Sequence, residues 1–452
     1  MLPRHERPWD GSLLRWRMAP DDEEERPRRR GGKLRGLKAL IHDAVDATTR
    51  LVDVGHESAS RGVRRVTDPI EPIRKPVRLV DDLRRLSTRS VLWTVRAVNR
   101  VVERISDTAL EVVLPEDAPS GAVPALPLRS DVIAEGAWLA DAAIGLLNAA
   151  VGDTLQAQSN GLDMGLVFRA RDRYLALEKA LWAEHLPDAT PRVALFVHGL
   201  GTTEWSWCLE AEGYHGDPTV HFGRLLEADR GFTPVHVRYN TGRRVSLNGR
   251  DLALALERFV AAYPVPIEDL TLIGHSMGGL VIRSAAHYGL EADHSWVGHV
   301  RRAFYLGSPH QGAPLAQLGH SVTGILEAVD HPATQVIGAI LGSRSAGIHD
   351  LRYGALVDED WLTADPRAMS DAELLPGIAH HFVSATITED PEHPLGAWIG
   401  DLLVRGTSAG GPREARFPID TSRYGGVLHH QLQNHPGVYA QLLLAIPELE
   451  PD

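Results

Sequence analysis

One short stretch restricts the possible folds more than any other: LTLIGHSMGGLVIRSAAHYG, residues 270–289. Its first residues are apolar and strand-like, its last residues have helical spacing, and Gly-x-Ser-x-Gly joins the two. A strand that turns sharply into a helix forces the central serine, Ser276, into a strained and exposed conformation above a sheet. Gly274 and Gly278 suit that turn, because a Cβ would clash where strand and helix approach closely. The stretch therefore predicts Ser276 as a nucleophile.

The same five-residue pattern occurs a second time, around Ser408 in Gly406–Gly410. In a chain with 42 glycines, a chance match is unsurprising. The residues that follow, AGGPREARFP, cannot begin a helix soon, so the strand–turn–helix context is missing. We interpret Ser408 as a loop serine.

From about residue 133 onward, short apolar runs that end in Gly, Pro, Ser or Asn alternate with helical patterns such as NGRDLALALERFVAAY. This alternation predicts an α/β fold, in which a mostly parallel sheet is covered by helices on both faces. A short hairpin is predicted at GLVFRARDRYLAL. The other predicted strands are RVALFVHG, FTPVHVRYN, DLTLIGHS, VRRAFYLGSP and HHFVSATIT, the last strand-like run in the chain. In such sheets the chemistry collects at the carboxyl ends of the strands.

The chain divides into three predicted parts. Residues 1–31 mix acidic and arginine clusters with prolines and predict a flexible tail. Residues 32–130 hold two amphipathic helical patterns followed by a proline-rich linker. Residues 131–452 form the α/β domain. Within it, the long excursion at about 312–378 predicts a lid or cap over the serine.

Charge is divided unevenly between these parts. Residues 1–106 hold 24 Lys and Arg against 16 Asp and Glu, a net charge of +8, and the remainder holds 23 against 43, a net charge of −20. A basic segment of this kind is compatible with peripheral contact to anionic lipid, although a solvated helical face explains it equally well. The N-terminus has no signal-peptide pattern, and Cys208 is the only cysteine. We expect a cytoplasmic protein that can also sit at a membrane surface.

A serine hydroxyl needs a base to take its proton and donors to hold the oxyanion that forms. The run LFVHGLGTTEWSW places a His-Gly loop at the end of an apolar strand upstream of Ser276. Such a loop gives one backbone N–H to an oxyanion hole, and the residue after the nucleophile gives the other. The predicted donors are the amides of Leu200 and Met277. His198 is interpreted as a structural histidine.

The chain order Ser, then Asp or Glu, then His limits the choice of acid and base. The base belongs in the loop that enters the last predicted helix, which leaves the adjacent His429 and His430. His435 precedes a proline and is assigned to the helix start. For the acid, Asp390 directly follows a predicted strand and Asp401 lies slightly later, and spacing modestly favours Asp390. The residues alone leave both choices open.

Six motifs in order give the chain a family resemblance: HGLGTTEWSW, YNTGRRVSLNGRDLA, LIGHSMGGLVIRSAAHY, LGSPHQGAPL, RSAGIHDLRYG and LHHQLQNHPGVY. Together they resemble a bacterial α/β-hydrolase family of the lipase and esterase type. That family is related to the inositol-deacylase lipases whose eukaryotic members remodel GPI anchors. The resemblance implies the α/β-hydrolase fold and a serine hydrolase acting on an ester or a lipid.

The resemblance also selects among the candidate residues. In that family the base stands six residues before the His-Pro, which implies His429. The acid lies in a Gly-Asp-x-x-Val loop with a serine downstream, which implies Asp401, although Leu402 stands where such loops often have glycine.

Two other functions are compatible with the same sequence. An acyltransferase would use the same triad, and a non-catalytic scaffold would bind a membrane or a partner through the N-terminal helices. Metal-dependent hydrolysis finds no support, because the 22 histidines include no His-Glu-x-x-His or comparable spacing. A phosphate-binding loop is also missing. We therefore expect no cofactor, no metal and no nucleic-acid partner.

Overall fold

A computed structural model describes residues 122–124, 137–313, 345–362, 372–393, 401, 404, 406–410 and 419–448. The predicted tail, the predicted N-terminal helices and much of the predicted lid lie outside these residues. In the described part of the chain, every helix is too short or too polar to span a bilayer.

The described strands form one sheet in the order β1-β3-β2-β5-β4-β6-β7-β8-β9. Strands β5, β4, β6, β7, β8 and β9 are parallel neighbours, whereas β1, β2 and β3 add an antiparallel edge. The strand bounds are β1 Ala122–Pro124, β2 Leu166–Ala170, β3 Arg173–Leu175, β4 Arg192–Val197, β5 Thr233–Tyr239, β6 Asp269–His275, β7 Val300–Leu306, β8 Ala379–Thr386 and β9 Asp420–Gly425. The prediction of a mostly parallel α/β fold is confirmed.

The α-helices of the described residues are α1 Ala137–Ala157, α2 Lys179–His185, α3 Ala211–His215, α4 Phe222–Arg230, α5 Val245–Ala262, α6 Met277–Glu291, α7 Ala346–Tyr353, α8 Asp358–Leu362, α9 Gly406–Ala409 and α10 Pro436–Ala445. Short 3₁₀ helices lie at Glu204–Cys208, Ser295–His299 and His429–Gln433. The helix predicted from NGRDLALALERFVAAY is α5, and the hairpin predicted from GLVFRARDRYLAL is β2–β3.

Side chains along β4 alternate between the two faces of the sheet. Val193, Leu195 and Val197 join one core with α5 and α6. Ala194 and Phe196 join a second core with α4 and α10. Because β4 is buried on both faces, its sequence is a continuous apolar run rather than an alternating one.

Chain order reverses between β4 and β6. From β4 the chain goes first to β5 on one side, and then returns to β6 on the other side. Ligands of open α/β sheets bind in the crevice that such a reversal creates beyond the carboxyl ends of the strands. The residues that follow β4 and β6, namely the His198–Leu200 loop and Ser276, lie at this point.

Two strands were not predicted. β9 reads DTSRYG, and its side chains are half-buried or exposed, so it lacks the apolar run of an interior strand. It pairs with β8 at the edge of the sheet, and HHFVSATIT is therefore not the last strand. β1 lies in the segment predicted as a linker and pairs with β3.

Part of the predicted lid segment is described, and it packs on the body of the domain. Ser345 caps the start of α7 and donates a hydrogen bond to the Ala149 carbonyl at 2.7 Å. The Gly347 amide donates to the Gly242 carbonyl at 2.9 Å, and the Ala313 amide donates to the Leu351 carbonyl at 3.1 Å. Helix α7 is thus fixed against α1 and against the loop that follows β5.

Candidate active site

Ser276 occupies the turn between β6 and α6. Its backbone has φ +52° and ψ −122°, a conformation that residues other than glycine rarely adopt. A Cβ on Gly278 would lie 2.2 Å from the carbonyl oxygen of Val197, so only glycine allows α6 to start this close to β4. The Ser276 amide donates to the Leu306 carbonyl at 2.8 Å. The sharp strand–turn–helix geometry predicted from the sequence is present, but Ser276 is only 8% exposed, so the prediction of an exposed serine is wrong for the described residues.

The predicted oxyanion donors lie on either side of this serine. Met277 is the first residue of α6, and its amide precedes the hydrogen-bond ladder of the helix. Leu200 follows Gly199, where a Cβ would lie 3.2 Å from the Ser276 Cβ. The loop is held by the Gly201 amide, which donates to Thr241 Oγ1 at 3.2 Å. Gly201 has φ +72°, and the turn there requires a residue without a Cβ.

His429 pairs with Asp401. The distance between His429 Nδ1 and Asp401 Oδ2 is 2.7 Å, and both side chains are buried. A carboxylate accepts from Nδ1–H, so the lone pair of the neutral ring is left on Nε2. The other carboxylate oxygen, Asp401 Oδ1, accepts from the Val404 amide at 2.8 Å. Asp401 is therefore held by its own loop while it orients the imidazole.

In the described residues, no hydrogen bond joins Ser276 Oγ to His429. Catalytic hydrogen bonds are often long without substrate and tighten when it binds. Gly307 leaves room for the His429 ring: a Cβ there would lie 2.9 Å from His429 Cε1, and its φ is +63°. Gly307 was not predicted as a site residue, although the Leu-Gly-Ser-Pro run at the end of a strand marks a turn.

His275, the residue before Ser276, contacts His429. Its Nε2 donates to the backbone carbonyl of His429 at 3.1 Å, and the two rings lie 4.7 Å apart. Burial holds the pKa of His275 well below its ordinary value, so the ring is neutral. Sequence reasoning assigned His275 no role, because a histidine beside the serine carries no spacing signal of its own.

The alternative acid and base lie elsewhere. His430 Nε2 lies 3.4 Å from Glu210 Oε1, and this contact lowers the pKa of the Glu210 carboxyl. Asp390 is exposed, and its Oδ1 accepts from the Glu392 amide at 2.9 Å within its own turn. The structure thus brings Asp401, and not Asp390, to His429.

Two further histidines have structural contacts. His198 Nε2 accepts from the Tyr239 amide at 3.3 Å, and Nδ1 donates to the Gly199 carbonyl at 2.9 Å. Burial lowers the pKa of His198 to about 4, which keeps it neutral. His435 Nδ1 accepts from the Gly437 amide at 3.1 Å and caps α10.

Ser408 has a different environment from Ser276. Its hydroxyl donates to the Gly312 carbonyl at 2.8 Å and accepts from the Gln311 amide at 3.0 Å. Its carbonyl accepts from the His310 amide at 3.1 Å. Ser408 fixes the loop that carries Asp401 to the turn after β7, although it lies in the one-turn helix α9 rather than in a loop.

A buried ion-pair network surrounds Glu204, four residues after Leu200. Glu204 is fully buried and accepts from Arg169 at 3.0 Å and from Arg238 at 2.8 and 2.9 Å. Burial alone would raise the pKa of Glu204, but the two guanidinium groups lower it well below its ordinary value. Among the residues that the structure describes, no three His, Cys, Asp or Glu side chains are arranged to hold a metal ion.

Comparison with known proteins identifies the family of the chain. The alpha/beta hydrolase family model matches residues 194–438, more than half of the chain. No curated protein matches the sequence.

Three solved structures are similar to the chain. The mature lipase BlEst2 from Bacillus licheniformis is 18% identical, with 56% of this chain and 91% of that chain covered and a TM-score of 0.36. The esterase of the hyperthermophilic archaeon Pyrobaculum calidifontis is 15% identical, with 76% and 96% covered and a TM-score of 0.35. A lipase-esterase related protein from Clostridium acetobutylicum is 16% identical, with 57% and 95% covered and a TM-score of 0.33.

Proposed function

Since the chain belongs to the α/β-hydrolase family, we propose that it is a serine hydrolase that cleaves carboxylic esters through an acyl-enzyme on Ser276. One observation carries the proposal: the 2.7 Å hydrogen bond between His429 Nδ1 and Asp401 Oδ2, at the same end of the sheet as the strained Ser276. A buried carboxylate that orients an imidazole in this way serves to activate a nucleophile.

The reaction proceeds in two halves. His429 Nε2 takes the proton of Ser276 as Oγ attacks the ester carbonyl, and the amides of Leu200 and Met277 donate to the oxyanion. The imidazolium, stabilised by Asp401, then protonates the alcohol, which leaves as the carbonyl re-forms. In the second half, water gives a proton to His429 Nε2 and attacks the carbonyl of the acyl-enzyme. The imidazolium then returns the proton to Ser276 Oγ as the acid leaves, which restores the free enzyme.

The substrate is an ester or a lipid, and its chain length decides between a small-ester esterase and a lipase. Activity on p-nitrophenyl esters of increasing acyl length separates the two, since activity that falls steadily with chain length contradicts a lipase. The kinship to inositol-deacylase lipases stays a prediction, because the family match is to the broader alpha/beta hydrolase family. The contact of the basic N-terminal segment with a membrane also stays a prediction, because that segment lies outside the described residues.

Labelling with a fluorophosphonate, with the modified peptide mapped by mass spectrometry, tests the proposal. We expect label on Ser276 in the wild type, none on that peptide in Ser276→Ala, and retained label in Ser408→Ala. The labelling is repeated with added detergent or lipid, because a closed lid would also block the probe. A wild type that stays unlabelled under both conditions would overturn the proposal and favour the scaffold function.

A further inference from the structure

A buried contact joins the two halves of the proposed catalytic machinery. We call it the loop seam: segment 204–210, which continues the Leu200 loop, and segment 429–434, which contains His429. At its centre, Ser206 Oγ donates to Gln433 Oε1 at 2.9 Å, and both residues are fully buried. Each lies in a five-residue 3₁₀ helix. The seam therefore links the oxyanion side of the site directly to the turn that carries the base.

Two more side-chain contacts lie along the loop seam. Asn434 Nδ2 donates to the Leu209 carbonyl at 3.4 Å, and it also donates to the Val220 carbonyl at 3.1 Å. His430 and Glu210 form the pair described above. The Ser206–Gln433 bond differs from both, because it is the side-chain pair of the seam that is completely shielded from water, where a hydrogen bond is strongest.

Segment 204–210 of the loop seam is held in place by buried ion pairs. Glu204, two residues before Ser206, is held by Arg169 and Arg238 in the buried ion-pair network. Arg238 also pairs with Asp141 on α1 at 2.6 Å, and Thr203 Oγ1 donates to Asp141 at 2.8 Å. The 3₁₀ helix Glu204–Cys208 is thus tied to β2, β5 and α1. The hydrogen bond from Ser206 to Gln433 therefore restrains the segment 429–434 relative to these elements.

Gln433 also makes a contact within the base segment, residues 429–434. The 3₁₀ helix His429–Gln433 has only five residues, and the i→i+3 hydrogen bonds of such a helix have poorer geometry than those of an α-helix. Gln433 Nε2 donates to the His430 carbonyl at 3.4 Å, so Gln433 braces this turn while it accepts from Ser206. A shift of Gln433 would therefore move the turn that holds His429.

We propose that Ser206 and Gln433 are positioning residues that fix His429 relative to the oxyanion donors. The inference rests on the proposed function. His429 Nε2 and the amides of Leu200 and Met277 must all act on the same carbonyl group within hydrogen-bond distance. A displacement of about 1 Å at such a site can lower the rate about 100-fold. Neither residue touches the reacting atoms.

The test is a double-mutant cycle of Ser206→Ala, Gln433→Leu and the double variant. The matched control is Ser384→Ala, which removes another buried serine hydroxyl that donates one hydrogen bond, to the Ser422 carbonyl at 3.1 Å between β8 and β9. Thermal unfolding is measured for every variant, and kcat and KM are measured with p-nitrophenyl acetate well below each Tm. The downfield proton NMR signal of the His429–Asp401 hydrogen bond, assigned with Asp401→Asn, gives a readout that needs no substrate.

We expect each single variant to lower kcat about 10-fold with KM little changed, and the double variant to lose little more than either single variant. We also expect the downfield signal to shift in both single variants and to stay in place in Ser384→Ala. Two results would overturn the inference: losses of kcat no larger than in Ser384→Ala, or losses that multiply in the double variant. If the wild type neither takes the fluorophosphonate nor hydrolyses esters, the proposed function fails, and an unchanged NMR signal then overturns the seam as well.

Discussion

Ser276 and Ser408 have the same Gly-x-Ser-x-Gly sequence and opposite environments. Ser276 lies at a positive φ between a buried strand and a long helix, and no hydrogen bond ties its hydroxyl to the base in the described residues. Ser408 lies in a one-turn helix, and its hydroxyl is engaged by two backbone groups of the turn at 311–312. The pentapeptide is shared, but the elements around it are not.

The difference shows what makes a serine available for chemistry. A hydroxyl that donates to one carbonyl and accepts from an amide is already satisfied, and attack on a substrate would break both hydrogen bonds. The position of Ser276 is fixed instead by its backbone, because α6 begins in close contact with the end of β4. The strand and helix that flank each serine therefore determine whether its hydroxyl is available for chemistry. Four predictions test the surroundings of Ser276 and of Ser408, from the largest expected effect to the smallest.

The largest effect is expected from Asp401→Asn. Asparagine retains the shape of the carboxylate but donates where it should accept, so His429 takes the wrong tautomer. We expect kcat for ester hydrolysis to fall about 10⁴-fold. The matched control is Asp390→Asn, because Asp390 is exposed and its carboxylate accepts from the Glu392 amide in its own turn. A large loss in the control, or none in Asp401→Asn, would reverse the assignment of the acid.

Gly278→Ala is expected to damage the Ser276 turn itself. The new Cβ would lie 2.2 Å from the Val197 carbonyl and 2.6 Å from the His198 carbonyl, and neither backbone can move freely within the sheet. We expect the free energy of unfolding to fall by about 3 kcal/mol, measured by urea denaturation. Gly298→Ala is the control, because open space surrounds that position. Equal stabilities of the two variants would contradict the close strand–helix approach.

Acid is expected to destabilise the Ser276 side through its buried neutral histidines. The pKa of His198 is about 4 when folded, below its ordinary value of 6.5, so the unfolded chain binds the proton more readily between these values. The free energy of unfolding therefore falls as pH decreases through this range. For His198 alone, the loss from pH 7 to pH 5 is about 2 kcal/mol.

Urea denaturation of the wild type and of His198→Gln at pH 7 and pH 5 measures this contribution. The variant is expected to be less stable at pH 7 but to lose less stability on acidification. An identical pH dependence in both proteins would show that His198 is not buried neutral.

The smallest effect is expected from Ser408→Ala. Removal of the hydroxyl leaves the Gln311 amide without its acceptor and the Gly312 carbonyl without its donor, which lowers the free energy of unfolding by about 1 to 2 kcal/mol. Urea denaturation at pH 7 measures the loss. A variant as stable as the wild type would show that Ser408 does not fix the Asp401 loop to the turn after β7.

The sequence predicted the interior of the sheet better than its edges. Strands β4 to β8 are buried and apolar, and β2–β3 has a clear turn, so all were predicted. β9 is polar and half-exposed, so its pattern resembles a loop. The nucleophile turn was predicted because the glycines, the strand and the helix are contiguous in the chain.

The partners of the nucleophile could not be derived in the same way. His429 and His430 are adjacent in one 3₁₀ turn, and only their contacts with Asp401 and Glu210 distinguish them. These contacts join segments 28 and 220 residues apart, which no local pattern encodes. The choice of His429 and Asp401 rested on family resemblance for this reason.

The late position of β9 has a consequence for protein synthesis. Ser276 follows β6, but His429 follows β9, which is the last strand of the sheet and pairs only with β8 in the described residues. Synthesis proceeds from the N-terminus, so β9 and His429 leave the ribosome after β4, β6 and β7, and parallel pairing between distant segments is slow. A nascent chain that has formed β4, β6 and β7 would therefore display the serine turn without its base. Under the proposed function, such a chain would not react with esters until its last segment had been synthesised, and reactivity toward a fluorophosphonate would report completed folding.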